Sequence, residues 1–521
     1  MNFEDLTDKD IKYISEIHGN KQYSWDEKMQ LLTRYLGRSE RTVRRWLKKL
    51  EVSKGLDAIE QSEDFKVARA KVLNNDKRVF FITWAQNATP VHKRFFENLL
   101  AYADYRDADV HVIAGRYKNP TSIFTDEKHD WWVSEVLPYL DANRHDLHPL
   151  LTLLSDIKVQ PTASNPLSGF ESVTGFKSAI VGHPKVHFKS EAVLEGHPFK
   201  VLATTGACTV PNYTDTKSGA KGEFHHTFGF AIVECQDQDV FHLRQVTANA
   251  DGSFTDLNKR VENSNIYTQE TFPFIVLGDL HPYQIDYNFY NIGVVDFLDK
   301  FRPNKTILHD VYDAYSISHH HEKDPILQFK KHKQGLNDAK VEIEKTKELL
   351  RPLIKHSPVI VRSNHDDHLD QWIRRADWKK DVINSLNYIE MAAALLHGTA
   401  DKGLIPYYLH STFGNDIECL ARDDSYKIKD WELAHHGDIG PNGSRGSINN
   451  FSKLNIKAVI AHSHSPGRLN GCIQAGTCTK LRVEYNKGAS SWRHAHVIGH
   501  EDGKAQLILF SRDYKYTTFD D

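Results

Sequence analysis

Five polar blocks in the second half of the chain each close an apolar run. They are Phe-Ile-Val-Leu-Gly-Asp279-Leu-His281, Thr-Ile-Leu-His309-Asp310, Val-Ile-Val-Arg-Ser363-Asn364-His365-Asp366, Glu-Leu-Ala-His435-His436-Gly-Asp, and Ala-Val-Ile-Ala461-His462-Ser-His464-Ser-Pro. Together they offer Asp279, His281, Asp310, Asn364, His436, His462 and His464, hard oxygens and imidazoles with no cysteine among them. That donor set disfavours soft-metal or iron–sulfur chemistry and suits a two-metal hydrolytic site. Two divalent cations about 4 Å apart neutralise an anionic phosphoester, acidify a water and stabilise both apical oxygens. One Asp-x-His arises by chance in a chain with 30 histidines; five such blocks in order, each after a β-branched run, do not.

This order resembles the calcineurin-like metallophosphoesterase family, whose pattern is Asp-x-His, Gly-Asp, Gly-Asn-His-Asp/Glu, His-Gly and Gly-His-x-His. The resemblance covers about residues 272–464. It implies an α/β fold, the two-sheet sandwich of that family. It also implies one metal on Asp279, His281, Asp310 and His464, and a second on Asp310, Asn364, His436 and His462, with Asp310 bridging. His365 would be no ligand but the general acid beside the leaving oxygen, oriented by Asp366. His435 competes with His436, and the family pattern puts the ligand directly before Gly437. Manganese(II) is usual for the nuclease members; Mg, Zn, Fe and Ni are compatible with the same donors. Three family glycines are replaced here by His309, Ser363 and Ala461, which alters the strand-to-loop turns without removing a ligand. Asp313 is the fallback should the second block be displaced by one turn.

The elements that must position these blocks read as follows. Residues 1–55 form a helix-turn-helix: Met29, Leu32 and Leu36 at helical spacing, a turn at Gly37 with Ser39 as N-cap, and a second helix with Val43, Trp46, Leu47 and Leu50 as its stripe. Eight basic and two acidic residues lie between Arg34 and Lys54. Arg41, Arg44, Arg45, Lys48 and Lys49 therefore present a basic helix suited to a DNA groove; an ordinary solvated helix is the bland alternative. Residues 56–76 are a charged linker, and 77–265 an α/β and β-rich accessory region. There Arg78–Trp84 and Ala108–Ala114 read as strands of a parallel crossover about a helix near 91–105. Lys217–His226 reads as a turn, with nucleic-acid contact its functional alternative. The catalytic domain is 266–521, with a helical insertion at about 313–357. A later helix at about 378–397 carries Ile383, Leu386, Ile389, Ala392, Ala393 and Leu396 as an expected core face. No internal repeat stands out.

Composition limits the classes. Net charge is −3, so DNA contact must come from local patches rather than from the whole surface. No apolar run approaches the ~20 residues of a membrane span, and the polar, acidic N-terminus is unlike a secretory signal. Five scattered cysteines favour a reducing cytoplasm over a disulfide framework.

The basic N-terminal helix turns the reading of substrate from any phosphoester toward DNA. The whole resembles DNases of the early DNA-transfer type in tailed bacteriophages, which implies a nuclease that degrades host DNA in the host cytoplasm. His319, His320 and Arg445 are expected to touch substrate. The competing readings are a phosphatase or cyclic-nucleotide phosphodiesterase, and a non-enzymatic DNA-binding protein with a decayed site. Whether the chain is a homo-oligomer stays open.

Overall fold

The computed structural model describes residues 6–19, 24–40, 42–44, 46–47, 73, 77–119, 131–483 and 486–519. The N-terminal unit forms where the sequence marks its caps. Ser24 and Glu27 make a capping box on the helix Trp25–Leu36, and Gly37 ends it in the left-handed region at φ 60°. Ser39 accepts the Thr42 and Val43 N–H groups and starts the next helical residues. Met29, Leu32, Leu36, Val43, Trp46 and Leu47 bury together with Ile14.

Beyond it the molecule is a layered α/β structure. Val79–Gln86 and Asp109–Gly115 pair in parallel across the helix Lys93–Tyr105, as predicted, within a five-stranded sheet. Phe274–Val276, Thr306–Leu308, Pro358–Ile360 and Glu418–Cys419 run parallel in a six-stranded sheet, closed by the antiparallel hairpin Ala495–Gly499/Ala505–Leu509. A ten-stranded sheet packs against both. One apolar core joins the three: Phe80, Ile82 and Val233, then Val276, Ile307 and Val497, then Leu153, Ile180, Val459 and Ile473. Near-continuous apolar strands are what a sheet buried on both faces requires.

The ten-stranded sheet changes the domain picture. Its order is Lys427–Ile428, Trp431–Glu432, Lys457–Ile460, Cys472–Gln474, Gly467–Leu469, Phe188–Glu191, Lys200–Thr204, Ser178–Val181, Leu151–Leu154 and Arg144–His148. The boundary expected at 265/266 therefore runs through a shared sheet.

A repeat invisible in the sequence also appears. In the five-stranded sheet three parallel strands are followed by an antiparallel hairpin, Gly229–Cys235/Phe241–Thr247, that pairs with the first of them. The six-stranded sheet has the same order and sense with one further parallel strand. The two halves of the ten-stranded sheet match strand for strand as well, and meet antiparallel where Phe188 pairs with Arg468.

Two further expectations are corrected. Lys217–Phe224 is a helix, because the Thr216 hydroxyl accepts the Gly219 N–H as N-cap. In the later segment only Ser385–Leu396 is helical, and its buried residues are Asn387, Met391 and Ala394. Ile383, Leu386, Ile389 and Leu396 are exposed, Leu396 by 88%. That helix is apolar nearly all round, so its neighbours, not its periodicity, choose the packed face.

Candidate metal centre

Asp279 leaves its strand beside a close backbone crossing. A Cβ on Gly278 would lie 2.6 Å from the Thr477 nitrogen, so only glycine admits the approach. Asp279 is fully buried, with its N–H donating to the Gly476 carbonyl. His281 follows with φ 48°, its N–H donating to the Asp310 carbonyl. Asp310 closes the next parallel strand, and its Oδ2 stands 3.1 Å from His281 Nε2 and 3.3 Å from His436 Nε2. His464 Nε2 lies 3.1 Å from Asp279 Oδ2 and 3.1 Å from His281 Nε2. His462 Nδ1 lies 3.2 Å from His436 Nε2. Asn364 opens the helix Asn364–Arg375 at the end of the third strand.

Asp279, His281, Asp310 and His464 offer ligand atoms all within 4.8 Å of one another, and all four are buried. Asp279 Oδ1, Asp310 Oδ1, Asn364 Oδ1 and His464 Nδ1 are buried without a hydrogen-bond partner, and Asp279 Oδ2 faces His464 Nε2. Buried polar atoms are normally satisfied, and orphaned ones are costly. Orphaned oxygens beside converging imidazoles are the donors a cation would take up, so the residues present fit a divalent metal. Without that charge the histidines balance the acids. Burial pushes His436 down, but the Asp310 carboxylate beside it outweighs that and raises it to about 9.

The structure separates residues the sequence left in competition. His436 is inside the cluster, whereas the His435 ring packs 5.6 Å from Phe451. Asp313 is no substitute for Asp310. Its Oδ1 lies 2.7 Å from His281 Nδ1 and its Oδ2 accepts the Tyr283 N–H, so it fixes the ring that faces Asp310. His365 has its Nδ1 2.8 Å from the Asp313 carbonyl and its ring 4.7 Å from that of His281. Asp366, expected to orient His365, has its carboxylate accepting the Ser363 N–H as half of a capping box. Burial raises Asp366 to about 7.

The three missing glycines have a simple resolution. His309, Ser363 and Ala461 are absent from the positive-φ residues, and Ser363 is extended at φ −111°. The left-handed conformations fall on His281, Asp310, His462 and His464 themselves. Strain of this kind costs about 1–3 kcal/mol per residue and clusters at functional sites.

The remaining assignments divide. His319 is exposed, its ring tilted against that of His320 at 3.8 Å, and it is linked through the His368 ring to His365. Arg445 is exposed in the loop after His436, bridged to Ile439. Of the expected DNA contacts Arg44 is exposed and paired with Glu40, while Arg41, Arg45, Lys48 and Lys49 lie outside the described residues. Sequence reasoning missed Trp492, whose ring packs 4.0 Å from His464, and the positioning role of Asp313. No helix among the described residues is long and apolar enough to cross a membrane.

No family model matches the chain. Protein A1 of Escherichia phage T5 is 31% identical over 464 residues, covering 83% of this chain and 81% of that protein. The chain belongs to the Protein A1 family. The relative supports a phage origin for this member of the Protein A1 family. One solved chain overlays 46% of this chain and 99% of its own at 12% identity and a TM-score of 0.25, too distant to bear on the fold.

Proposed function

We propose that this member of the Protein A1 family is a two-metal phosphodiesterase acting on DNA, a DNase of the calcineurin-like kind that degrades host DNA. The observation that carries the reading is the buried Asp279–His281–Asp310–His464 cluster with its orphaned carboxylate oxygens. Two divalent cations, manganese(II) on this reading, supply charge neutralisation and an acidified water when bound. Asp279, His281, Asp310 and His464 would hold one, and Asp310, Asn364, His436 and His462 the other. Asp310 suits the shared position because its Oδ2 already faces an imidazole from each set.

The His365 Nδ1 contact to the Asp313 carbonyl supports a role outside the ligand set. In that tautomer Nδ1–H donates to the carbonyl and Nε2 is the atom that moves a proton, as a general acid requires. The string His319–His368–His365 supports a substrate path along that side. The basic residues from Arg34 to Lys54 support a polynucleotide over a small phosphoester.

Digestion of plasmid DNA in manganese(II), with EDTA and His365→Ala as controls, tests the reading. The expected result is metal-dependent cleavage, abolished by EDTA and reduced ~10²-fold or more in the variant. Intact DNA with metal bound, or faster turnover of cyclic nucleotides than of DNA, would sink it.

A further inference from the structure

The matched halves of the molecule permit a residue-by-residue comparison. Ala179–Ile180–Val181 pairs with Leu202–Ala203–Thr204 as Ala458–Val459–Ile460 pairs with Cys472–Ile473–Gln474. Two residues beyond these strands stand His183 and His462, and two further on Lys185 and His464. The partner strands lead into Gly206-Ala207-Cys208-Thr209 and Gly476-Thr477-Cys478-Thr479. Each cysteine carbonyl accepts a backbone N–H from the loop after the first strand, from His92 at 2.7 Å and from Asp286 at 3.0 Å. The Asn87 N–H donates to the Gly115 carbonyl as the Leu280 N–H does to that of His309. Ala88 at φ 50° thus matches His281 at φ 48°, and Arg116 matches Asp310.

So the N-terminal half has an alanine, an arginine and a lysine where the other has His281, Asp310 and His464. An arginine at the bridging position excludes a cation from it. The two halves meet about a pseudo-two-fold axis: Phe188 and Arg468, equivalent by register, pair with each other. A cleft of about 460 Å³ opens at this seam. Lys185, His187, His225, Lys457 and Arg468 line it, and no carboxylate does. Lys185 is only 4% exposed, with its Nζ donating to the Ala163 carbonyl, and Arg468 Nε is buried without a hydrogen-bond partner; burial pushes the neighbouring His187 down to about 4, which leaves that ring neutral. Buried cations with no acid among them are costly unless an anion joins them. Phe224, 68% exposed, offers a ring at the rim on which a base can stack.

We propose that residues 79–247 are a copy of the catalytic fold, without the donors that His281, Asp310 and His464 supply in the other half, that holds substrate, and that the seam cleft binds a phosphate of a polynucleotide strand. The site rests on the DNA reading above for its ligand, not for its charge. Binding of a labelled DNA oligonucleotide to the full chain in EDTA, over a range of salt, tests it. Arg468→Gln is expected to weaken binding ~5–10-fold and reduce the salt slope by about one, with the melting temperature as in the unaltered protein. Phe224→Ala, on an exposed ring, is expected to weaken binding by a similar factor with the slope unchanged. Unaltered affinity and slope in the two folded variants would overturn the proposal. Should Arg468→Gln not fold, Phe224→Ala with His225→Gln decides on the same terms. If the unaltered chain does not bind DNA, inorganic phosphate separates the two readings. Thermal stabilisation by phosphate that is lost in Arg468→Gln keeps the site and rejects DNA; no stabilisation rejects the site.

Discussion

At the scale of single residues the candidate centre is an exchange between strain and electrostatics. His281, Asp310, His462 and His464 take left-handed backbone conformations, and Asp279 Oδ1 and Asp310 Oδ1 lie buried among them without a hydrogen-bond partner. On the two-metal reading, Asp310→Asn removes the charge facing both imidazole sets and is expected to lower occupancy of both metals, measured by elemental analysis of the purified protein. Unchanged metal content would remove the bridging role. Asp313→Ala frees the His281 ring and is expected to weaken metal affinity ~10–100-fold, read by competition with a chelator. Because Asp313 also holds the loop through the Tyr283 N–H, the circular dichroism of the variant must match the parent.

At the scale of elements, the strand ends are what bring distant residues together. The parallel strands ending before Asp279, Asp310 and Asn364 deliver their blocks to one sheet edge, while His436, His462 and His464 arrive from the facing sheet. Similar locks hold the first half. Asp141 ends the third strand of its sheet and faces His111 at 2.7 Å and His145 at 3.1 Å. Burial pushes its carboxyl up, but the hydrogen bonds from His111 and His145 outweigh this and hold it at about 2. A folded pKa below the unfolded one gives stability that is present above about pH 4 and lost as pH falls toward 2. Asp141→Asn is expected to cost about 2 kcal/mol at neutral pH, with the gap to the parent narrowing between pH 4 and 2 in denaturant midpoints. A constant gap would show that the carboxylate charge is not what the histidines stabilise.

At the scale of the whole molecule, the two halves cannot be parted along the chain. Gly467–Leu469 pairs with Phe188–Glu191, and strands of both halves share one core. Expression of residues 266–521 alone would expose that strand edge and half the core. The fragment is expected to aggregate or to melt without cooperativity, and a cooperative, monomeric fragment would refute the coupling.

The blocks of the candidate centre were legible because chemistry limits the donor types and because each must follow a strand, which leaves Asp279, Asp310, Asn364 and the histidine pair in recognisable apolar-then-polar runs. The turn at Gly37 and the cap at Ser39 were legible for the same reason: their causes lie within a few residues. The choice between His435 and His436 needed the family pattern, and the contacts of Asp313 with the His281 ring and the Tyr283 N–H were not in the chain's order at all. They are set by which loop folds over which ring. Only tertiary structure decided that Leu386 and Leu396 face outward, that the boundary near 265 runs through a sheet, and that Arg116 and Lys185 stand where the other half places Asp310 and His464. Local sequence encodes the conformations and ligands that short-range forces determine; pairing across hundreds of residues depends on the fold of both halves at once, and the seam between them exists only when they meet.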